Sequence, residues 1–155
     1  MSLERSLLAT QGYIELEMLA EALQELDSLP ATDRDREEVL QLRLFILMRG
    51  RVWAEALKVC DRLRELHPDC TTGYIHGAFC LHEMGRTAEA RDLLLAGPSS
   101  LTREATYHYN LGCYDAVLGN RESAHEHLKI SFELDKKFRE IAKYDPDLKS
   151  VSDLL

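Results

Sequence analysis

A 34-residue spacing between alanines is the feature that most limits how this chain can fold. Glu-Ala dipeptides recur at this period and a Ser-Ala dipeptide continues it, so that the four alanines are Ala22, Ala56, Ala90 and Ala124. The position four residues after each alanine is also apolar, and is occupied by Leu26, Cys60, Leu94 and Leu128. Such a period is typical of arrays in which each repeat buries its apolar face against its neighbours. The spacing therefore predicts a stack of similar repeats with a distributed core.

The composition predicts that these repeats are helical. The chain has 155 residues, 45% of them apolar, with only 8 glycines and 4 prolines. An all-β domain of this length needs a turn about every 8 to 12 residues, which so few glycines and prolines do not supply. Leucine, alanine, glutamate and arginine, which favour helices, dominate instead. We expect an all-α fold.

The period and its motif residues resemble the tetratricopeptide repeat (TPR), a 34-residue pair of antiparallel helices. The clearest matches are 52–57 with 66–68, and 110–112 with 132–135. The resemblance implies one domain over 1–155, a right-handed α-solenoid of about four repeats at 3–36, 37–70, 71–104 and 105–138, with a C-terminal capping helix in 139–155. It also implies structural roles for the four motif alanines and for Gly85, Gly112, Gly119 and Pro68.

The sequence departs from the TPR pattern at several positions. Pro30 and Pro98 follow the motif alanine by eight residues instead of twelve, so we expect the second helices of the first and third repeats to end early. The polar connections that follow predict that Asp33 and Thr102 lie in the N-cap region of the next helices and cap them. Other departures are Glu17 where glycine is usual, Gly50 one residue upstream of the glycine position, and Asp115 at an apolar position.

The C-terminal segment resembles the end of bacterial TPR arrays. Lys136 to Tyr144 is expected to form the capping helix, with Phe138 and Ile141 facing inward. Asp145-Pro146 ends this helix. The apolar residues beyond it are expected to dock as a last short turn: Leu148, Val151, Leu154 and Leu155.

The resemblance also implies a binding groove, because the first helix of each TPR lines a concave surface. The groove positions are Gln41, Phe45, Met48, Arg49, Ile75, His76, Phe79, His82, Tyr109, Asn110 and Cys113, with Glu83, Thr106 and Val117 beside them. Aromatic anchors with amide and imidazole groups suit a peptide or an amphipathic helix. The alternative is that Phe45, Phe79 and Tyr109 are ordinary core. No lysine or arginine stands where chaperone-tail adaptors of the family carry their basic clamp, although Arg49 lies near the groove mouth and could meet an acidic ligand end.

No motif indicates catalysis, a metal or a cofactor. The chain lacks Gly-x-Ser-x-Gly, a Walker loop and His-Glu-x-x-His. His76 and His82 are six residues apart, and His125 and His127 are two apart, so neither pair shares one helical face. The paired acids Glu37-Glu38 are first-turn residues favoured by the helix dipole.

Charge and cysteine usage indicate the setting. The net charge of −8 disfavours nucleic acid and anionic membranes as partners. Four cysteines without a Cys-x-x-Cys pair suit a reducing, cytoplasmic location, and the resemblance suggests a bacterial source. The sequence thus predicts a non-catalytic scaffold that binds a protein segment. A self-associating homodimer is the main alternative, and an enzyme or metal-binding protein that uses the histidines and cysteines is a third.

Overall fold

A computed structural model describes residues 2–155, and every regular element in that range is a helix, which confirms the all-α prediction. None of these helices is both long and apolar enough to cross a membrane. Two 3-10 helices occupy Ser99–Arg103 and Pro146–Leu154. The α-helices are α1 Leu3–Glu15, α2 Leu19–Asp27, α3 Ala31–Arg34, α4 Glu37–Arg49, α5 Trp53–Leu66, α6 Thr72–Glu83, α7 Thr87–Leu95, α8 Ala105–Val117, α9 Arg121–Leu134 and α10 Lys137–Ala142.

The helices pack as consecutive pairs within two compact units, one ending at Gly73 and the other starting at Tyr74. In the first unit, α1 packs on α2 and α4 on α5. In the second, α8 packs on α9, and the second 3-10 helix packs on both. Helices α2 and α7 have 9 residues each, against 14 in α5 and α9, which confirms that Pro30 and Pro98 shorten the second helices of their repeats.

Small residues lie where paired helices approach most closely. The motif alanines Ala22, Ala56, Ala90 and Ala124 are fully buried. A Cβ added to Gly112 would lie 2.6 Å from Cγ of Leu128, so only glycine fits between α8 and α9 at this point. A larger side chain at such positions forces the helices apart, which typically lowers the free energy of unfolding by about 1 to 3 kcal/mol.

The turns between paired helices share one backbone conformation across all four repeats. Glu17, Arg51, Gly85 and Gly119 have φ values of 58°, 58°, 78° and 84°, and they are spaced 34 residues apart. This corrects the interpretation of Gly50, because Arg51 is the residue in the left-handed region while Gly50 has φ −80°. In two of the four repeats, a residue with a side chain thus adopts the left-handed conformation, which glycine adopts with the least strain.

Replacing Arg51 with glycine is expected to raise the free energy of unfolding by roughly 1 kcal/mol, because it removes the left-handed penalty of a side chain. Gly85→Ala is expected to lower it by about the same amount, purely through the backbone, because an added Cβ would meet nothing within 4 Å. Urea denaturation measures both. Gly12→Ala, in the interior of α1 with equal space, is the control and should stabilise slightly. A destabilising Arg51→Gly would contradict this account.

The two predicted N-caps are wrong. Helix α4 begins after Arg36, and the carboxylate of Asp33 accepts from Arg36 Nε at 2.8 Å instead of capping. Thr102 lies inside the first 3-10 helix, where its hydroxyl donates to the carbonyl of Ser99 at 2.7 Å. Both connections contain a short helix, and each of these polar side chains bonds to a residue three positions away within its own connection.

The capping helix is shorter than predicted. Helix α10 covers Lys137–Ala142, and Ile141 is exposed where an inward position was expected; Ala142 is buried in its place. Phe138 does face inward, with its ring 4.9 Å from that of Tyr109. Leu148 and Val151 are buried, as predicted for a docked last turn, and Leu154 is half-buried. The prediction for Leu155 is wrong, because this residue is 44% exposed.

Candidate functional site

In the first compact unit, the groove positions on α4 present one exposed aromatic ring. Phe45 is 50% exposed, whereas Gln41 and Met48 are half-buried. The side-chain amide of Gln41 donates to Sγ of Cys70 at 3.4 Å. The guanidinium of Arg49 lies 5.9 Å from the centre of the Phe45 ring, within cation–π range. Phe45 therefore has the exposure that an anchor for a partner needs.

Arg49 is less available to an acidic ligand than the sequence indicated. Its guanidinium binds both carboxylate oxygens of Glu17, with Nε 3.1 Å from Oε2. This hydrogen bond raises the pKa of Arg49. Glu17 is the residue that replaces the usual turn glycine. It lies in the turn after α1 and has a left-handed φ. The prediction of Arg49 as an open cation is corrected, because Glu17 offsets its charge.

The groove positions on α6 are mostly covered. Ile75 is buried, and His76, Phe79 and His82 are half-buried. Burial lowers the pKa of His76, which favours its neutral form. Asn110 on α8 is also half-buried. These residues are not the open surface that the groove prediction expected.

The chain's own C-terminal segment, residues 145–155 and called here the tail, contacts two of the predicted groove positions on α8, Tyr109 and Cys113. Tyr109, only 6% exposed, donates its hydroxyl to Oδ2 of Asp145 at 2.7 Å, and the Cys113 thiol approaches the same oxygen at 3.6 Å. Burial first, and then Asp145, raises the pKa of Tyr109 and of the Cys113 thiol, so both stay protonated donors.

Further polar contacts hold the tail to α6, α8 and α9. Nε2 of His82 lies 2.8 Å from Oδ2 of Asp147, and because a carboxylate only accepts, His82 must donate. Nη2 of Arg121 donates to both carboxylate oxygens of Asp153, at 3.0 and 2.7 Å. Ser150 donates to the carbonyl of Ala116 at 3.3 Å.

Two apolar tail residues complete this attachment. Leu148 and Val151, three positions apart on the 3-10 helix, are buried. Tyr109 and Cys113 are therefore buried, and for Tyr109 this agrees with the alternative that it belongs to the core. Ligand binding at these two positions stays a prediction. Sequence analysis missed Asp145, Asp147 and Arg121 as binding residues; two acids flanking a proline were the only signal for this contact.

Three groups lie close enough together to ligate a metal ion where the tail contacts α8. Ligand atoms of Cys113, Asp145 and Asp147 lie within 4.8 Å of one another. Each already has a hydrogen-bond partner: Tyr109 and the thiol for Asp145, and His82 for Asp147. Metal ligation needs a thiolate, whereas burial and the two carboxylates raise the pKa of the thiol. The geometry suits a set of hydrogen bonds that holds the tail.

The departure at Asp115 is explained by a buried ion pair. Asp115 is fully buried on α8, and Nε of Arg91 on α7 donates to its Oδ1 at 2.6 Å. Asn120 donates to the same oxygen at 3.1 Å, and the hydroxyl of Ser123 donates to Oδ2 at 2.7 Å. Three donors thus compensate for burial of the carboxylate and join α7, α8 and α9.

A histidine pair that spacing did not predict links α8 to α9. Nδ1 of buried His108 lies 3.2 Å from Nδ1 of His127, and Nε2 of His108 lies 2.8 Å from the carbonyl of Thr102. That carbonyl only accepts, so Nε2 of His108 donates to it. Burial first, and then His108 and Arg91, lower the pKa of His127, whereas Asp115 and Glu126 oppose this shift.

Acid is expected to destabilise the fold through these rings. The folded-state pKa of His127 lies below the unfolded value of about 6.5, so its contribution to stability is complete above that pH and is lost as the pH falls toward the folded pKa. His76 acts in the same direction. Urea denaturation between about pH 7.5 and 5 should show this loss, and His127→Gln should reduce the slope. His125→Gln, exposed on α9, is the control; equal slopes in all three proteins would contradict the prediction.

Comparison with known proteins identifies the fold. No family model matches the chain, and no curated protein matches it. Among solved structures it is similar to "MamA 41-end from Desulfovibrio magneticus RS-1" (TM-score 0.77, 18% identity, covering 97% of this chain and 89% of that one) and to "MamA RS-1 ArsTM double mutant" (0.76, 18%, 97% and 93%). "MamA MSR-1 C2" is also similar (0.73, 19%, 89% and 79%). At these identities the likeness shows the fold alone, which is a TPR-type helical repeat.

Proposed function

We propose that this protein is a non-catalytic scaffold that binds a segment of another protein through the groove faces of its first helices. The observation that carries the proposal is the way in which the chain holds its own tail. The TPR resemblance marks His82, Tyr109 and Cys113 as ligand-binding positions, and these side chains contact two acids of the tail. The helices therefore present donors suited to an extended or turn-like chain.

The first compact unit supplies a second surface of different chemistry, on α4. Phe45 is half-exposed with the Arg49 guanidinium over its ring, and Gln41 and Met48 lie on the same helix. A few aromatic and arginine anchors commonly dominate the energy of a protein interface. This surface supports binding of an apolar side chain from the partner beside the Phe45 ring.

Site-specific photo-crosslinking tests this proposal. A photoreactive amino acid at position 45 is expected to give covalent adducts with a protein partner in cells of the source organism. Arg49→Ala should reduce these adducts by at least about tenfold, because a few anchor residues dominate the energy of an interface. Position 144 is the control, because Tyr144 is exposed but lies outside the groove positions. Adducts of the same identity and yield at both positions, or none at position 45, would contradict the proposal.

Self-association is the second candidate, and α1 favours it. Leu8 on this helix and Leu16 directly after it are 68% and 70% exposed. Sedimentation velocity over a range of concentrations tests it: a dimer weakened by Leu8→Lys and Leu16→Lys would support the candidate, and a monomer throughout would remove it.

A further inference from the structure

We infer that the surface covered by the tail is itself a binding site, and that it recognises an acidic segment of a partner protein with the pattern acid-x-acid-Leu-x-x-Val. This inference rests on the proposed scaffold function and specifies its ligand. The surface, called here the clasp, consists of His82, Tyr109, Cys113, the Ala116 carbonyl and Arg121. The tail carries this pattern itself and makes the contacts that the partner segment would make.

The donors of the clasp define a requirement for carboxylates. Tyr109 and Cys113 converge on Asp145, whereas His82 donates to Asp147, so acids two residues apart meet donors on different helices. Thr87 positions His82, because its hydroxyl lies 2.9 Å from Nδ1 and leaves Nε2 to donate. A segment without these acids would bury the Tyr109 hydroxyl without its acceptor, at a cost of a buried unsatisfied group.

The apolar part of the clasp fixes the spacing of the anchors. Leu148 and Val151 are buried side by side on one face of the 3-10 helix, while Lys149, Ser152 and Asp153 remain exposed. Asp145 also shapes the segment, because its Oδ1 accepts from the backbone N–H of Asp147 at 3.0 Å and caps the helix. Recognition therefore uses two acids and two apolar anchors, and the residues between them are free to vary.

Charge complementarity supports an acidic occupant. The tail contains three aspartates and one lysine, and all three aspartates contact donors of the clasp. Arg121 adds a full positive charge opposite the third acid, Asp153. A partner segment that carries these features competes with the tail, whose attachment to the chain gives it an effective concentration of about millimolar.

The competition can be measured on the full-length chain. Asp145→Asn with Asp147→Asn weakens the tail but leaves every clasp residue intact, and Asp147→Ala alone is the second variant, since it keeps the Asp145 cap. The probe is a fluorescein-labelled peptide of residues 143–155, titrated by fluorescence anisotropy. A second peptide keeps only the two acids and the two anchors, with the other residues changed. A third is the 143–155 peptide with both acids changed to asparagine.

The expected result is that the first two peptides bind the variants at least about tenfold more tightly than they bind the wild-type chain, because the intramolecular competitor is weakened. The asparagine peptide should bind at least about tenfold more weakly than its parent, and His82→Ala in a weakened-tail variant should have a similar effect. Circular dichroism confirms that each variant is folded, and hydrogen exchange of the tail amides reports its release.

Several results would overturn the inference. They are the absence of peptide binding to both variants up to about 1 mM, the scale of the tail's own effective concentration, and binding that does not depend on the two acids. Dimerisation of the variants without peptide binding would assign the clasp to a second copy of the chain instead. None of these outcomes affects crosslinking at position 45, so the scaffold proposal is tested separately.

Discussion

Replacing Asp115 with alanine is expected to lower the free energy of unfolding by about 3 kcal/mol, because removal of one partner from a buried ion pair leaves the other charge uncompensated. The side chain of Arg91 keeps 30% of its surface exposed, so water recovers part of the loss and the effect stays at the low end of the usual range. Asn120 and Ser123 lose their acceptor as well. Urea denaturation followed by circular dichroism measures the change.

Two matched variants separate charge from packing at this position. Asp115→Asn keeps one oxygen as an acceptor and should cost less than the alanine variant. Asp115→Leu restores the apolar residue usual in TPRs but leaves three donors without a partner, so it should not exceed wild-type stability. Asp92→Ala, an exposed acid on α7, is the control and should change stability by less than about 0.5 kcal/mol. A stabilising Asp115→Leu would contradict the network as described.

The repeat architecture could be predicted from the sequence because its causes are local and periodic. Each motif alanine lies at the same point of a helix pair, so a single packing constraint appears four times along the chain at one spacing. Pro30 and Pro98 predict shorter helices because proline lacks the backbone donor at its own position. The left-handed turn was harder to find, since Glu17 and Arg51 occupy it without the usual glycine.

The candidate site could be predicted only in part, because its contacts join distant residues. The TPR pattern selected His82, Tyr109 and Cys113 as positions that bind a peptide, but no local signal shows that residues 145–153 reach them. Pairing of Arg49 with Glu17, 32 residues earlier, is equally invisible in a periodic pattern. Burial of Asp115 was visible as a departure, whereas its partner Arg91 was not.

The tail therefore stabilises its own unit and, through the same contacts, competes with any partner segment. Its apolar anchors stabilise the second compact unit by burying surface that α8 would otherwise expose, and its acids satisfy donors that would otherwise need water. A partner segment displaces the tail only by supplying equivalent contacts. The affinity of the clasp for a partner is thus reduced by the stability that the tail provides, so both can be estimated from one set of variants.

Leu148→Ala is expected to measure the apolar share of that stability. Leu148 is only 1% exposed, and truncation of a buried leucine removes its transfer free energy and leaves a cavity, which together cost about 3 kcal/mol. For a chain of this size, such a loss lowers the melting temperature by about 6 to 12 °C. Differential scanning calorimetry and urea denaturation of the full-length chain measure the two quantities independently.

Leu155→Ala is the matched control, because Leu155 belongs to the same segment but is 44% exposed, and it should change stability by less than about 1 kcal/mol. The double variant Leu148→Ala with Asp147→Asn should lose more than either single change, since anchor and acid hold the same short helix. If Leu148→Ala costs no more than Leu155→Ala, the tail does not pack on α8 in solution. The clasp would then be open to partners without competition, and the tenfold difference between wild-type and weakened-tail chains would disappear.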